Sequence, residues 1–221
     1  MPHHPSMSTP PSALALAESP TLPDALAASA AIPGWLTQDQ ATVLFTEAAA
    51  LMPGSRIVEI GSHQGRSTVV LALANPSADV TAVDAFTTTR RYAGPSVESQ
   101  LRANLERVGV ADRVTVIPAR SREVRETWEA PIDLLYIDGK HDVVTVTGDL
   151  AWTEFLSTGS HVLVHDAFSS VGVTLALIGR VLPSRRIRYL DRTGSLARFE
   201  IGRPTPADRS TLLAQLPWWM R

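Results

Sequence analysis

Residues 56–74 constrain this chain more than any other stretch, because they join a strand, a tight turn and a helix without a break. The apolar run Arg56-Ile57-Val58-Glu59-Ile60 reads as a buried strand. It stops at Gly61, turns through Ser62-His63-Gln64 to Gly65, and resumes as an apolar helical pattern, Ser67-Thr68-Val69-Val70-Leu71-Ala72-Leu73. Glycines in such a turn let backbone approach a ligand, and the start of the helix offers free N–H groups. The dinucleotide fingerprint G-x-G-x-x-G needs its second glycine where a pyrophosphate comes close. Here Ser62 and His63 stand between the glycines, giving G-x-x-x-G, and the acid Glu59 lies at the strand end. A carboxylate beside the turn repels phosphate and suits a cationic ligand. That chemistry points to S-adenosylmethionine (SAM), with its ammonium and sulfonium groups, over NAD.

The alternation continues downstream. Further strands are expected at 79–83, 113–117, 132–137 and 161–164, with helices at 66–74, 96–108, 121–128, 142–156 and 171–181. Near-continuous apolar strands separated by helices imply a parallel sheet covered on both faces, a Rossmann-like doubly wound α/β fold. Segments 186–190 and 196–201 alternate around Asp191-Arg192-Thr193-Gly194-Ser195, so a hairpin should add an antiparallel edge. Before the sheet, Thr37 can cap a helix whose apolar stripe is Ala41, Val43, Leu44, Phe45, Ala48 and Leu51, ended by Pro53-Gly54. Residues 1–34, rich in Pro, Ser and Ala, are expected as a flexible tail, inert or serving as a lid or dimer arm. Residues 35–202 form the domain. Residues 203–221 form a short cap with Leu212, Leu213, Leu216, Trp218 and Trp219 on its apolar face, packed on the body or on a second subunit.

Carboxylates and hydroxyls recur at the carboxyl ends of the expected strands. Asp84 follows the second strand, where an acid can accept hydrogen bonds from both ribose hydroxyls. Pro118-Ala119-Arg120-Ser121 follows the third, where Ala119 backbone and Ser121 can hold an adenine edge. The candidate cofactor set is therefore Glu59, Gly61, Ser62, Gly65, Ser67, Asp84, Ala119, Ser121 and Asp138. The Glu-x-Gly-x-x-x-Gly unit, the acid on the second strand and the final hairpin resemble the class I SAM-dependent methyltransferases over roughly residues 35–202. That resemblance implies seven strands and SAM as cofactor.

A second constellation carries chemistry. Leu134-Leu135-Tyr136-Ile137-Asp138-Gly139-Lys140-His141 delivers Asp138 to a strand tip and His141 to the start of the next helix, and His161-Val162-Leu163-Val164-His165-Asp166 repeats the device one strand later. Methyl transfer to a hydroxyl needs in-line alignment and removal of a proton, by a His base or a hard divalent cation. With Asp149-Leu150 and Gly172-Val173, the segment resembles bacterial metal-dependent small-molecule and sugar O-methyltransferases and their cephalosporin-hydroxylase-like relatives. The resemblance implies Asp138 as a metal ligand and His141 as the base. The acidic pair usual after the next strand is here His165-Asp166-Ala167, so only Asp166 matches. His165 would be a nitrogen ligand, which Mn²⁺ tolerates better than Mg²⁺.

Composition narrows the classes. A net charge of −2 argues against a nucleic-acid footprint or an acidic-membrane patch. The absence of cysteine removes disulfides, zinc-thiolate sites and thiol nucleophiles, and fits a cytoplasmic setting. No run reaches membrane-spanning length and no secretory signal is evident. Lys140 is the only lysine, and His3, His4 and His161 are expected as bystanders. The polar loop Phe86-Thr87-Thr88-Thr89-Arg90-Arg91-Tyr92 favours a sugar or glycan hydroxyl as acceptor, with a homodimer possible. Two other readings stay open: a non-catalytic module that binds SAM or an adenosyl nucleotide, and, less favoured, an NAD-dependent oxidoreductase.

Overall fold

Strands with apolar residues on both faces must be covered on both sides, and helices cover both sides here. The computed structural model describes residues 19–87 and 96–216. In chain order, α1 (Leu22–Ala30) and α2 (Gln38–Ala49) precede β1 (Arg56–Ile60), α3 (Arg66–Ala74), β2 (Asp79–Val83), α4 (Val97–Val108), β3 (Val114–Ile117) and α5 (Ser121–Arg125). Then come β4 (Ile132–Ile137), α6 (Val143–Leu150), β5 (Leu156–Val164), α7 (Val171–Arg180), β6 (Ile187–Thr193), β7 (Leu196–Ile201) and α8 (Pro206–Ala214). The seven strands form one sheet in the order β3-β2-β1-β4-β5-β7-β6, parallel from β3 to β5, with β7 antiparallel to β5 and β6 antiparallel to β7.

Period-two alternation sorts the core into two layers. Val58, Ile60, Leu135, Ile137, Val162 and Val164 join α6, α7 and α8 side chains on one face. Ile57, Leu134, Tyr136 and Leu163 pack with α1 to α4 on the other. Helix α3 has buried residues from Ser67 through Leu73, which is why its sequence is nearly unbroken in apolar character. The order reverses between β1 and β4, and that switch point opens a crevice at the carboxyl ends of the strands.

Several expectations need correction. The flexible tail extends too far: Leu22–Ala30 is helical, capped reciprocally by Thr21 and Asp24 with Pro23 in its first turn. Ala25 and Ile32 are buried, and α1 packs against α3. Composition masks this helix because the face it buries is small, Ala25 and Ser29 with Leu26 and Ala28 beside them. Residues 1–18 lie outside the described residues. The helix expected to run to residue 156 ends at Leu150, followed by a 3-10 turn, Ala151–Phe155, and β5 begins at Leu156. An irregular register between Ile132 and Leu134, with Gly159 at φ +92°, lets the strand start early. The helix expected at 121–128 stops at Arg125, and β6 extends through Thr193. In the C-terminal cap Leu212 and Leu216 are buried and Leu213 is exposed, while Trp218 and Trp219 lie outside the described residues.

The β1–α3 joint shows how the local sequence fixes its own geometry. Glu59 is fully buried and accepts hydrogen bonds from the hydroxyls of Ser67 and Thr68 in the first turn of α3. Burial pushes its carboxyl up to about 7 against those two donors, with the charges of Asp138 and Asp84 adding to the rise. Gly61 has φ +91°, and a Cβ there would stand 2.2 Å from the Asp138 carbonyl oxygen.

Both features of this joint can be tested by unfolding. Gly61→Ala should cost at least ~2 kcal/mol in urea unfolding, from the left-handed backbone and the overlap together. Helical Gly148, where a Cβ would meet nothing within 4 Å, serves as the control, and Gly148→Ala should stabilise by ~0.5–1 kcal/mol. For Glu59, the folded state retains a proton between the ordinary 4.5 and about 7 that the unfolded chain releases. That contribution is full below the lower value and is lost as pH rises through the upper one. Stability of Glu59→Gln should therefore fall less than wild type between about pH 5 and about pH 8, by up to about 3 kcal/mol. Parallel pH curves for the two proteins would contradict the raised carboxyl.

Candidate active site

The glycine turn is held from both sides. Gly61 N–H donates to the Val83 carbonyl at 2.8 Å, Gly65 N–H to Ser62 O at 2.8 Å, and Asn104 Nδ2 to Gln64 O at 2.9 Å. His63, at φ +46°, donates its backbone N–H to Asp84 Oδ2 at 2.8 Å, and Phe86 N–H donates to Asp84 Oδ1 at 2.7 Å. Each Asp84 oxygen keeps a lone pair, so the acid can still receive ribose hydroxyls. Gly65 caps α3 with left-handed backbone at φ +89° and no side-chain cap, leaving the first N–H groups to a ligand or water. Ser62 Oγ is buried without a hydrogen-bond partner.

A cleft at this turn is lined by Gly61, Ser62, His63, Ser67 and Asp138, together with the Pro33–Leu36 segment. Arg66 Nη1 fastens that segment by donating to Ile32 O at 3.3 Å and Gly34 O at 3.0 Å. The Trp35 ring, 82% exposed, lies 5.9 Å from the His63 ring. Of the cofactor residues read from sequence, Gly61, Ser62, Ser67 and Asp138 line this cleft and Asp84 is bonded to its turn, whereas Gly65, Ala119 and Ser121 are not among its lining residues and Glu59 lies beneath the turn. Two partners account for this: Ser67 and Thr68 take its oxygens. Ser67, expected at the cofactor, is likewise 6% exposed and bonded to Glu59. Half-buried Ala119 and Ser121 follow β3 as expected, the Ala119 N–H bonded to Ile117 O at 2.9 Å and the Ser121 hydroxyl turned to Asp149.

Asp138, His141, His165 and Asp166 come together as one cluster. Asp138 Oδ2 accepts from the Tyr136 hydroxyl at 3.0 Å, and its Oδ1 lies 3.2 Å from His165 Nδ1 and 3.7 Å from His141 Nε2. Asp166 Oδ2 is 3.5 Å from His141 Nδ1, and its Oδ1 is 3.6 Å from His165 Nδ1. Each imidazole therefore bridges both carboxylates. Burial pushes the Asp138 carboxyl up, but His141, His165 and Tyr136 together hold it below the usual carboxylate range. His141 is raised chiefly by Asp138, against partial burial and with help from Asp166. Burial lowers His165, yet the two carboxylates outweigh it and the net shift is upward.

Gln40, which no sequence signal singled out, fixes the His165 ring. Its Oε1 accepts from Thr37 N–H at 3.0 Å and its Nε2 donates to Ser195 Oγ at 3.1 Å, so the amide orientation is set. His165 Nε2, 3.2 Å from the same Oε1, must then be a donor, which turns Nδ1 toward the carboxylates. Gly172 is equally necessary, since a Cβ there would stand 2.0 Å from His141 O. His161, expected as a bystander, pairs with Glu47 and, at 3.9 Å, with Glu200. Lys140 lies 3.1 Å from Asp142. The expected substrate loop at 86–92 lies outside the described residues beyond Thr87.

The nitrogen-and-two-carboxylate chemistry expected of a metal site is present at Asp138, His165 and Asp166. In this arrangement the side chains pair with one another, and among the described residues no group of three or more His, Asp or Glu is disposed to hold an ion. A separate cavity of about 660 Å³, lined by Arg125, Arg180, Arg185 and Arg186, opens at the opposite end of the sheet and includes none of these residues. Among the described residues no helix is long and apolar enough to cross a membrane.

Comparison with known proteins agrees with this geometry. Residues 58–167 match a family described as a methyltransferase domain. The chain is similar to cofactor-bound Rv0187 from MTB at 25% identity and a TM-score of 0.60, covering 81% of this chain and 88% of that one. It shares the fold of the O-methyltransferase from Bacillus cereus in complex with S-adenosylhomocysteine (SAH), at 19% identity and a TM-score of 0.60, over 82% and 90% of the two chains. An rRNA methylase from Streptococcus thermophilus has the same fold at 16% identity and a TM-score of 0.54, over 73% of this chain and 96% of that one. The seven-stranded sheet with its switch-point crevice is a Rossmann-like methyltransferase fold, and the match of residues 58–167 to a methyltransferase domain together with the cofactor-bound neighbours supports a class I, SAM-dependent methyltransferase.

Proposed function

We propose that this protein transfers the methyl group of SAM to a hydroxyl of a small molecule, a sugar or glycan in particular. The observation that carries the reading is the position of His141, 3.7 Å from Asp138 and 3.5 Å from Asp166, beside the crevice that Gly61 and Asp138 share. SAM, when bound, supplies a methyl group on a positively charged sulfur. The protein's part is to align an acceptor oxygen with that methyl, exclude water and accept the hydroxyl proton.

In this reading neutral His141 takes the proton from the acceptor oxygen, and Asp138 and Asp166 orient the ring and stabilise its charged form. Asp84 holds the ribose, Gly61 to Gly65 offer backbone to the amino-acid portion, and the 119–121 turn holds the adenine edge. Asp138, His165 and Asp166 would hold a divalent cation, Mg²⁺ or Mn²⁺, which acidifies a bound hydroxyl. Support for that set comes from the His165 Nδ1, buried without a hydrogen-bond partner and directed at two carboxylates. A small-molecule acceptor in preference to nucleic acid rests on the net charge of −2. The sugar assignment rests on the Thr- and Arg-rich composition of residues 86–92.

His141→Ala should lower turnover at least ~100-fold while leaving the SAH-induced rise in melting temperature unchanged. Undiminished turnover would remove His141 as the proton acceptor. Turnover lost together with SAH binding would recast it as a cofactor residue. Treatment with a chelator should reduce turnover, and Mn²⁺ should restore it more fully than Mg²⁺. Full activity in chelator would remove the metal from the reaction and leave proton removal to His141 alone.

A further inference from the structure

Asp149, which the sequence places only within a resemblance and with no role, is fully buried and lies between the turn after β3 and the turn after β4. Its Oδ1 accepts the hydrogen bond of the Ser121 hydroxyl, from the turn after β3. Its Oδ2 is buried with no hydrogen-bond partner, on the side where Gly139 approaches so closely that a Cβ would stand 3.1 Å away. The carboxyl is thus wedged between the 119–121 turn and the turn that follows Asp138, with little freedom to rotate.

A serine hydroxyl has one hydrogen to give and two lone pairs to offer. When its hydrogen is committed to a carboxylate behind it, only the lone pairs remain for a ligand in front. We propose that Asp149 fixes Ser121 as a hydrogen-bond acceptor, and that this polarity makes the turn select a purine bearing an exocyclic amino group over one bearing a carbonyl at the same position. The inference rests on the cofactor reading above, because it needs the base to lie at the 119–121 turn, one strand beyond the Asp84 that would hold the ribose. The strand order β3-β2-β1 places those two strand ends side by side, and Asp84 N–H donates to Ile117 O at 3.2 Å. Burial pushes the Asp149 carboxyl up to about 6, so at a pH about two units higher it is ionised and can only accept. A carbonyl at the purine 6-position would then face lone pairs with no hydrogen between them, and one partner would go unsatisfied.

The test compares the binding of SAH and of its deaminated analogue, S-inosylhomocysteine, by calorimetry at about pH 8. Wild type should bind SAH at least ~10-fold more tightly, as expected for one mismatched buried hydrogen bond. Ser121→Ala removes only a half-buried hydroxyl and should bring the two affinities to within about 2-fold of each other. Asp149→Ala frees the Ser121 hydroxyl to turn either way and should lower the preference to the same degree, and the double variant should lower it no further. A purely structural role for Asp149 would weaken both ligands alike and leave their ratio unchanged. Equal binding by the wild type, a full preference surviving in Ser121→Ala, or an unchanged ratio in a folded Asp149→Ala would each overturn the inference. SAH binding with any of these results leaves the cofactor reading standing, whereas failure of folded wild type to bind either nucleoside overturns both.

Discussion

The close approach of β1 to β4 at their carboxyl ends is the contact on which the remaining geometry depends. Asp138 N–H donates to Ile60 O at 2.8 Å, and the Gly61 Cα faces the Asp138 carbonyl so tightly that no side chain can intervene. Two consequences follow from one steric fact. The chain leaving β1 must turn away through left-handed glycine, which starts α3 over the sheet. The chain leaving β4 must carry Asp138 into the same crevice that the glycine turn borders. The glycine turn and the Asp138–His141 segment are therefore neighbours through backbone, before any side chain contributes.

Charge balance then organises what that contact brings together. Asp138 and Asp166 would repel each other at this range, and two imidazoles placed between them offset the repulsion. The rings are positioned from behind: Gly172 permits α7 to back the His141 carbonyl, and Gln40 directs His165 from α2. Farther out, Glu47 of α2 receives both Arg198 of β7 and His161 of β5. Helix α2 is tied to the parallel strand and to the antiparallel edge by one buried carboxylate, which also holds Gln40 at its distance from His165.

Much of this was legible in the sequence where one signal dominated. The strands 56–60, 79–83 and 132–137 have the bounds that their apolar runs imply, because burial on both faces keeps each run nearly continuous up to the turn that ends it. Asp138, His141, His165 and Asp166 were legible as a group for the same reason, since parallel strands deliver their carboxyl-end residues to one edge. The missing parts depend on signals that compete or act at long range. Helix α1 hides in a Pro- and Ala-rich composition although Thr21, Pro23 and Asp24 spell its start. The early start of β5 depends on pairing with β4 across an irregular register, which no local pattern encodes. Gln40 reads as a surface helix residue until Ser195, 155 positions away, is seen to take its amide.

Glu59 is the instructive case, because its residue type suggested one role and its surroundings give it another. A carboxylate next to a glycine turn suggests attraction of a cationic ligand, but Ser67 and Thr68 in the first turn of α3 are hydroxyl donors facing back toward the strand. Two short local bonds cost less ordering than holding a charge out over the turn, so the side chain folds inward and burial raises its carboxyl to about 7. The negative charge available to a cationic ligand at this cleft then falls to Asp138, which lines the crevice and whose neighbours hold it below the usual carboxylate range. Its position at the tip of β4 is set by the same backbone contact that shapes the turn. The negative charge at the crevice thus traces to the strand pairing of β1 with β4, with Glu59 bonded beneath to the first turn of α3.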